Sequence, residues 1–246
     1  MEKIHIMKFS LHSYEVDFRG KAHLHSLLNY LQEAAVQQAA LMGFGFEDLI
    51  QKKLIWLLSR YHIQVSRYPR LGETVEVATW PSGIQGTFAL RDFTIKDQKG
   101  TQLLAATSSW ILWNIENKHP SPLQNYFTED LIHPKRSLED PFDPLPQLKK
   151  TDHEVSFRVL KKDLDLNRHV NNTVYIQWAL ESVPKDILLE KSPLEVEAAY
   201  KSEAFCGETI QSRVQRKNRE GNPGYLHQIV NPTKESELTR LRTLWG

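Results

Sequence analysis

The chain carries one order of elements twice, and this repetition limits its fold more than any single stretch does. In the first copy Phe9, Leu11, Tyr14 and Val16 predict a strand over 8–18. Leu27, Leu28, Leu31, Ala34, Ala35, Gln38 and Leu41 recur at helical spacing and predict a helix over 25–42, with Gly43 as its stop. Strand-like runs follow at 55–66, 74–80, 87–96 and 103–113, separated by turn residues such as Pro69 with Gly72 and Pro81-Ser82-Gly83. The second copy predicts a strand over 152–160, a helix over 172–183, and strands near 194–202, 209–217, 225–230 and 238–245. Residues echo in the same order. Gly72-Glu73-Thr74-Val75 matches Gly207-Glu208-Thr209-Ile210, Leu31-Gln32-Glu33 matches Ala179-Leu180-Glu181, and Ser109-Trp110 matches Leu244-Trp245.

A helix and an antiparallel sheet each have one apolar side to hide. The economical solution is an α+β module in which the sheet curls around the helix. Two such modules are expected, over 1–133 and 151–246. Between them Pro134, Pro141, Pro144 and Pro146 mark 134–150 as an extended, fairly stiff linker. Apolar residues make up 40% of the 246, enough for a core in each module. A formal net charge of +1 gives no global case for nucleic acid or an anionic membrane. No run approaches the roughly 20 apolar residues that span a bilayer. The single cysteine, Cys206, rules out an intramolecular disulfide and fits a reducing, cytoplasmic setting.

The second copy holds a stretch that the first does not match. Asp165, Asn167 and His169 alternate along Asp165-Leu-Asn-Arg-His-Val-Asn171-Asn172, just before the second helix. They offer a carboxylate, an amide donor and an imidazole that titrates near neutrality. Asp165 and Asn167 taken singly are also common turn and cap residues. One of Asn171 and Asn172 is expected to cap the helix, and Tyr175, Trp178 and Leu180 to serve as core or cavity wall. With the helices aligned on Glu33 and Glu181, Asp165, Asn167 and His169 face Asp17, Arg19 and Lys21. The first copy keeps a carboxylate and loses the amide and the imidazole. Chemistry is therefore expected in the second module, while the first helps to form a binding cavity. His23-x-His25 could chelate a metal on a strand, but no cysteine or carboxylate cluster completes a site.

The block Asp165–Asn172 with Tyr175, Trp178 and Glu181, the run Tyr200-Lys-Ser-Glu203, and Leu54-Ile-Trp56 and Trp80 in the first half together resemble the acyl-acyl-carrier-protein thioesterases of plants and bacteria. The resemblance covers nearly the whole chain. It implies a tandem double hotdog and hydrolysis of fatty acyl thioesters on acyl carrier protein in fatty acid biosynthesis. It places a catalytic set on Asp165, Asn167, His169 and Glu203, with no cofactor and no metal. Where some accounts of the family put a nucleophilic cysteine beside the glutamate, this chain has Ala204, which argues against a Cys–His mechanism. Plant members carry a plastid transit peptide, whereas this chain begins almost at its first strand, so a bacterial cytoplasmic member is expected. Exposed sheet edges are compatible with a homodimer.

Thioester hydrolysis needs an activated water or a carboxylate nucleophile, and a partner for the developing oxyanion. Glu203 and His169 are candidates for positioning and deprotonating the water. Asn167 and N–H groups at the start of the second helix are candidates for the carbonyl, with Asp165 as a brace. Lys149, Lys150, Arg158, Lys161, Lys162 and Arg168 would give an acidic carrier protein a basic rim. Two rivals remain at this level. One is an enoyl-thioester hydratase on the same fold, whose usual pattern has Pro after the Asn and the His one residue further on. The other is a non-catalytic acyl-carrier binding protein.

Overall fold

The computed structural model describes residues 2–246 and divides into two compact units, Met1–Pro141 and Phe142–Gly246. In unit one, strand β1 (His5–Ser10) precedes helix α1 (Leu24–Leu41) and a short helix α2 (Phe46–Gln51). Strands β2 (Leu54–Val65), β3 (Thr74–Gln85), β4 (Phe88–Asp97), β5 (Gln102–Asn114) and the two-residue β6 (His119–Pro120) follow. In unit two, β7 (His153–Arg158) precedes α3 (Asn172–Leu180) and α4 (Lys185–Glu190). They are followed by β8 (Pro193–Tyr200), β9 (Thr209–Arg216), β10 (Gly224–Asn231) and β11 (Ser236–Trp245). The sheet of unit one runs β1-β3-β4-β5-β2, and that of unit two runs β7-β9-β10-β11-β8. The named pairings within each unit are antiparallel. The two orders are the same topology, so the duplication read from sequence extends to strand pairing.

In each unit the sheet packs on the longest helix, which is the hotdog arrangement. Leu24, Leu27, Leu28, Leu31, Ala34 and Gln38 form a buried stripe along α1, spaced by three and four residues, and α1 packs on β1 and β3. Gly43, at φ +76°, closes the helix in a left-handed conformation that costs glycine little. On α3 six of nine residues are buried, on more than one side, against β9, β10 and β11. Its Trp178 stacks on Phe157 of β7 with ring centroids 5.9 Å apart. Strand β9 shows the alternation a half-buried sheet requires: Ile210, Ser212 and Val214 are buried, and their neighbours are not.

Both first strands end earlier than apolar patterning suggests. After β1 the chain makes a 3₁₀ turn at Ser13–Glu15, where the Glu15 carboxylate accepts the His12 N–H at 2.9 Å. After β7, Asp163 accepts the Leu160 N–H at 2.8 Å in the same way. These side-chain acceptors divert N–H groups that a ladder would have used. The second helix ends at Leu180 rather than 183, shortly before Pro184.

Residues 132–152 form neither helix nor strand, yet their first part is strapped down. Arg136 Nε donates to Asp92 at 2.7 Å and its Nη2 donates to Thr107 at 2.8 Å. Asp92 is fully buried, so this guanidinium answers a charge that solvent cannot reach. Trp80 Nε1 adds a hydrogen bond to the Lys135 carbonyl at 2.7 Å. Removing one partner of a buried ion pair typically costs about 3–5 kcal/mol. Arg136→Ala is therefore expected to lower the unfolding free energy by that amount in urea titrations. A loss below about 1 kcal/mol, the range of exposed pairs, would show that the strap contributes little.

Candidate functional site

Asp165, Asn167 and His169 lie on the loop between the 3₁₀ turn Lys161–Asp163 and α3. One oxygen of Asp165, Oδ1, accepts the backbone N–H groups of Asn167 at 2.8 Å and His169 at 3.1 Å. The Asp165 N–H in turn donates to the His169 carbonyl at 2.8 Å. The loop is thus wound around a single carboxylate. Arg168, between Asn167 and His169, sits at φ +64°. That region disfavours a residue with a Cβ, and such strain is often found at working sites.

Unit one contains the same loop. Asp17 Oδ1 accepts the N–H groups of Arg19 at 2.8 Å and Lys21 at 3.0 Å, and the Asp17 N–H donates to the Lys21 carbonyl at 2.7 Å. Gly20, at φ +70°, takes the place of Arg168. The carboxylate brace belongs to the fold, since it persists where the amide and imidazole are gone. The copies differ at the second oxygen. Asp17 Oδ2 is neutralised by Arg19 Nε at 2.9 Å. Asn167 stands in that place in unit two and carries no charge to do so.

Glu203 reaches this loop from the segment between β8 and β9. Its Oε1 lies 3.0 Å from His169 Nδ1, with the carboxylate side chain 42% exposed and the imidazole 24% exposed. Burial raises the Glu203 pKa above the ordinary glutamate value, the His169 charge lowers it, and the Asp165 charge adds to the rise. The Asn167 side chain is half-buried and makes no hydrogen bond among the described residues. The structure therefore brings Asp165, His169 and Glu203 into one electrostatic group and leaves the Asn167 amide beside it, free for a ligand.

The Glu203 segment is held by Tyr175, expected only as core or cavity wall, and by groups with no expected bracing role. The Ala204 N–H donates to the Tyr175 hydroxyl at 2.9 Å, and the Val170 N–H donates to the Ala204 carbonyl at 3.1 Å. Tyr200 donates its hydroxyl proton to the Asn172 carbonyl at 3.0 Å. Burial pushes the Tyr175 hydroxyl well above its usual value, which keeps it protonated. The Phe205 ring meets His169 edge-on at 5.3 Å. None of these roles has a sequence signal beyond aromatic residues near the motif. Asn171 is the cap of α3, accepting the Thr173 N–H at 3.0 Å, while the Asn172 N–H has no acceptor among the described residues. Ala204 is fully buried and Cys206 is exposed. His23 precedes α1 and His25 lies in its first turn rather than on a strand, and positions two apart on a helix do not face each other.

Two family models match the chain, the acyl-ACP thioesterase N-terminal domain over residues 2–131 and its C-terminal domain over 147–246. The chain belongs to the acyl-ACP thioesterase family. It is 31% identical to the chloroplastic palmitoyl-acyl carrier protein thioesterase of Gossypium hirsutum, over 96% of its own length and 62% of that protein. It is 29% identical to the Cuphea hookeriana protein of the same name, over 96% and 61%. The chain thus spans about three fifths of the length of these relatives. Its fold matches the 12:0-ACP thioesterase of Umbellularia californica with a TM-score of 0.89 at 26% identity, covering 99% of this chain and 94% of that one. An acyl-ACP thioesterase from Bacteroides thetaiotaomicron shares the fold with a TM-score of 0.85 at 24% identity, covering 99% and 98%. The resemblance to this thioesterase family that the motifs carry is therefore sound. No helix among the described residues is long and apolar enough to cross a membrane.

The paired loops predict a separation of roles. Asp17→Ala and Asp165→Ala each remove an acceptor of two N–H groups. Each should cost about 1–3 kcal/mol of stability, with faster amide exchange at Arg19 and Lys21 in one variant and at Asn167 and His169 in the other. Unchanged exchange at those amides would mean that the carboxylates do not hold the loops.

Proposed function

We propose that the chain hydrolyses fatty acyl thioesters carried on acyl carrier protein, releasing free fatty acid, with the chemistry confined to unit two. The observation that carries this reading is the contact of His169 with a Glu203 of raised pKa, on a loop braced by Asp165. Family membership and the named activities of the relatives support it. A reducing setting such as the cytoplasm accords with the single cysteine, Cys206.

In this mechanism Glu203 and His169 hold a water, and the pair accepts its proton as the oxygen attacks the acyl carbon. The carbonyl oxygen gains charge and is met by the Asn167 carboxamide and the Asn172 N–H. Collapse of the tetrahedral intermediate expels the thiolate, which takes the proton back from the pair. A carboxylate whose pKa lies nearer neutrality is a better base than an ordinary glutamate at physiological pH. Asp165 acts through its neighbours: it shapes the loop and, lacking an arginine partner, lends its charge to raise Glu203. Unit one, with Arg19 and Lys21 in the reactive positions, contributes to acyl binding rather than to the chemistry.

Glu203→Gln and His169→Ala should each lower kcat by about 10²–10⁴-fold in thiol-release assays with acyl carrier thioesters. Near-normal kcat in both would sink the assignment, and Asp17→Ala should leave kcat near its original value. The pH dependence has a definite sign. The base must be ionised, so activity falls as pH drops through the Glu203 pKa, and the acid limb of kcat/KM should lie above the ordinary glutamate range. Asp165→Asn removes a charge that raises this pKa and should move the limb to lower pH. A limb that stays in place would argue against Glu203 as the base.

Lys149, Lys150, Arg158, Lys161, Lys162 and Arg168 are all exposed on unit two and would steer an acidic carrier. Turnover of the carrier-bound substrate should then fall more steeply with salt than turnover of a small acyl thioester. Equal salt slopes for the two substrates would remove the steering role.

A further inference from the structure

The segment that carries Glu203 has a counterpart ahead of β3 in unit one, and matching hydrogen bonds fix the register between them. The Lys201 and Ser202 N–H groups donate to the Leu238 carbonyl, as those of Ser66 and Arg67 donate to Leu103. The Gly207 N–H donates to Val159 as the Gly72 N–H does to Leu11. Glu208 accepts the Phe205 N–H at 3.1 Å, as Glu73 accepts that of Arg70 at 3.0 Å. In this register Tyr68 stands opposite Glu203, and Pro69 opposite Ala204.

The two segments differ in how they are tied back. In unit one the Leu71 N–H donates to the Gly20 carbonyl at 3.0 Å, at the tip of the Asp17 loop. Its counterpart in unit two, the Cys206 N–H, has no acceptor among the described residues. In unit two the Ala204 N–H instead donates to the Tyr175 hydroxyl at 2.9 Å. Unit one lacks both members of that pair. Proline has no N–H at position 69, and with the helices aligned on Glu33 and Glu181 the residue opposite Tyr175 is Leu27. The bond is therefore absent where the reactive side chains are absent.

The bond also falls on a telling group. The Ala204 N–H shares a planar peptide unit with the Glu203 carbonyl, so fixing it fixes the direction in which the Glu203 side chain leaves the backbone. The bond from Val170 falls on the next peptide unit and recurs in unit one, where no glutamate is carried. Tyr175 is a firm anchor. It is 2% exposed, and its ring meets Trp178 at 5.5 Å and Tyr200 at 6.1 Å. Burial raises its pKa well above the usual value, so the anchor does not titrate with the Glu203–His169 pair. Glu208, the other carboxylate of the segment, is paired with Lys234 at 2.5 Å.

We infer that Tyr175 is a positioning residue: its hydroxyl fixes the Glu203–Ala204 peptide so that the Glu203 carboxylate meets His169. The effect on turnover rests on the proposed hydrolysis, whereas the hold on Glu203 does not.

Tyr175→Phe removes the hydroxyl and keeps the ring. The Glu203 pKa, followed by NMR at its side-chain carboxyl carbon, should rise in this variant. A looser contact weakens the lowering by His169, while burial and the Asp165 charge still raise it. In thiol-release assays kcat should fall by about 10–100-fold with KM near its original value, and the acid limb of kcat/KM should move to higher pH. A mere loss of stability would reduce the active fraction and leave the limb in place. In the Glu203→Gln background Tyr175→Phe should cost little more turnover, because both act through one group. Ala204→Pro deletes the donor, keeps the hydroxyl and copies Pro69, and it should raise the Glu203 pKa as well. An unchanged Glu203 pKa in both variants would overturn the inference, as would a limb that stays in place. Normal turnover in Glu203→Gln would instead remove the hydrolytic reading, and the NMR titration would then decide the hold by itself.

Discussion

Each unit depends on a carboxylate that gathers the backbone just ahead of the central helix. Asp17 and Asp165 each accept two N–H groups through one oxygen and donate their own N–H back across the loop. This brace sets the direction in which α1 and α3 leave the loop. It also sets which side chains project from the loop beside the helix start. The segment before the third strand of each unit is tied in by matching bonds: the Ala22 N–H donates to the Pro69 carbonyl at 2.9 Å, and the Val170 N–H to the Ala204 carbonyl at 3.1 Å. The bond from Val170 is what puts Glu203 within reach of His169. The loop shape is common to both units, while the side chains at 167 and 169 are particular to unit two.

The fold was legible because its main signals are local and repeated. The α1 stripe, the stop at Gly43 and the turns before β3 and β9 all follow from residues within a few positions of one another. The alignment on Glu33 and Glu181 placed Asp17 opposite Asp165, and the hydrogen bonds reproduce that register. What escaped was non-local or brief. The six-residue helices α2 and α4 are too short to show a period. Glu15 and Asp163 ended their strands through hydrogen bonds that hydropathy does not register. Arg136 answers Asp92 across 44 residues, inside a stretch whose prolines suggested only a spacer.

The candidate site was legible to a different degree. Asp165, Asn167 and His169 are spaced closely enough to suggest a shared purpose, but Glu203 lies 34 residues beyond His169 and entered only through family resemblance. Spacing also could not separate the two roles of Asp165, because a turn residue and a tuning charge look alike in sequence. The comparison of the two loops separates them. Bracing needs only Oδ1 and survives in unit one. Tuning needs a charge not neutralised nearby, and that condition is met only where Asn167 replaces Arg19. The Tyr175 hydroxyl was hidden for a related reason: its ring packs like any core aromatic against Trp178 at 5.5 Å, and only the bond from the Ala204 N–H reveals its hold on the Glu203 segment.

Charge placement sets the two copies apart. In unit one Asp17 lies below its ordinary pKa although burial opposes this, because the N–H groups of Lys21 and Arg19 and the Arg19 guanidinium favour the ionised form. That carboxylate is paired within its own loop by Arg19. In unit two His169 faces the carboxylate of Glu203, and the charge of Asp165 reaches that carboxylate as well. Burial and the charge of Asp165 raise the Glu203 pKa, and the contact with His169 opposes that rise. The neutral amide at 167 therefore leaves the charge of Asp165 unpaired, and that charge adds to the rise in the Glu203 pKa.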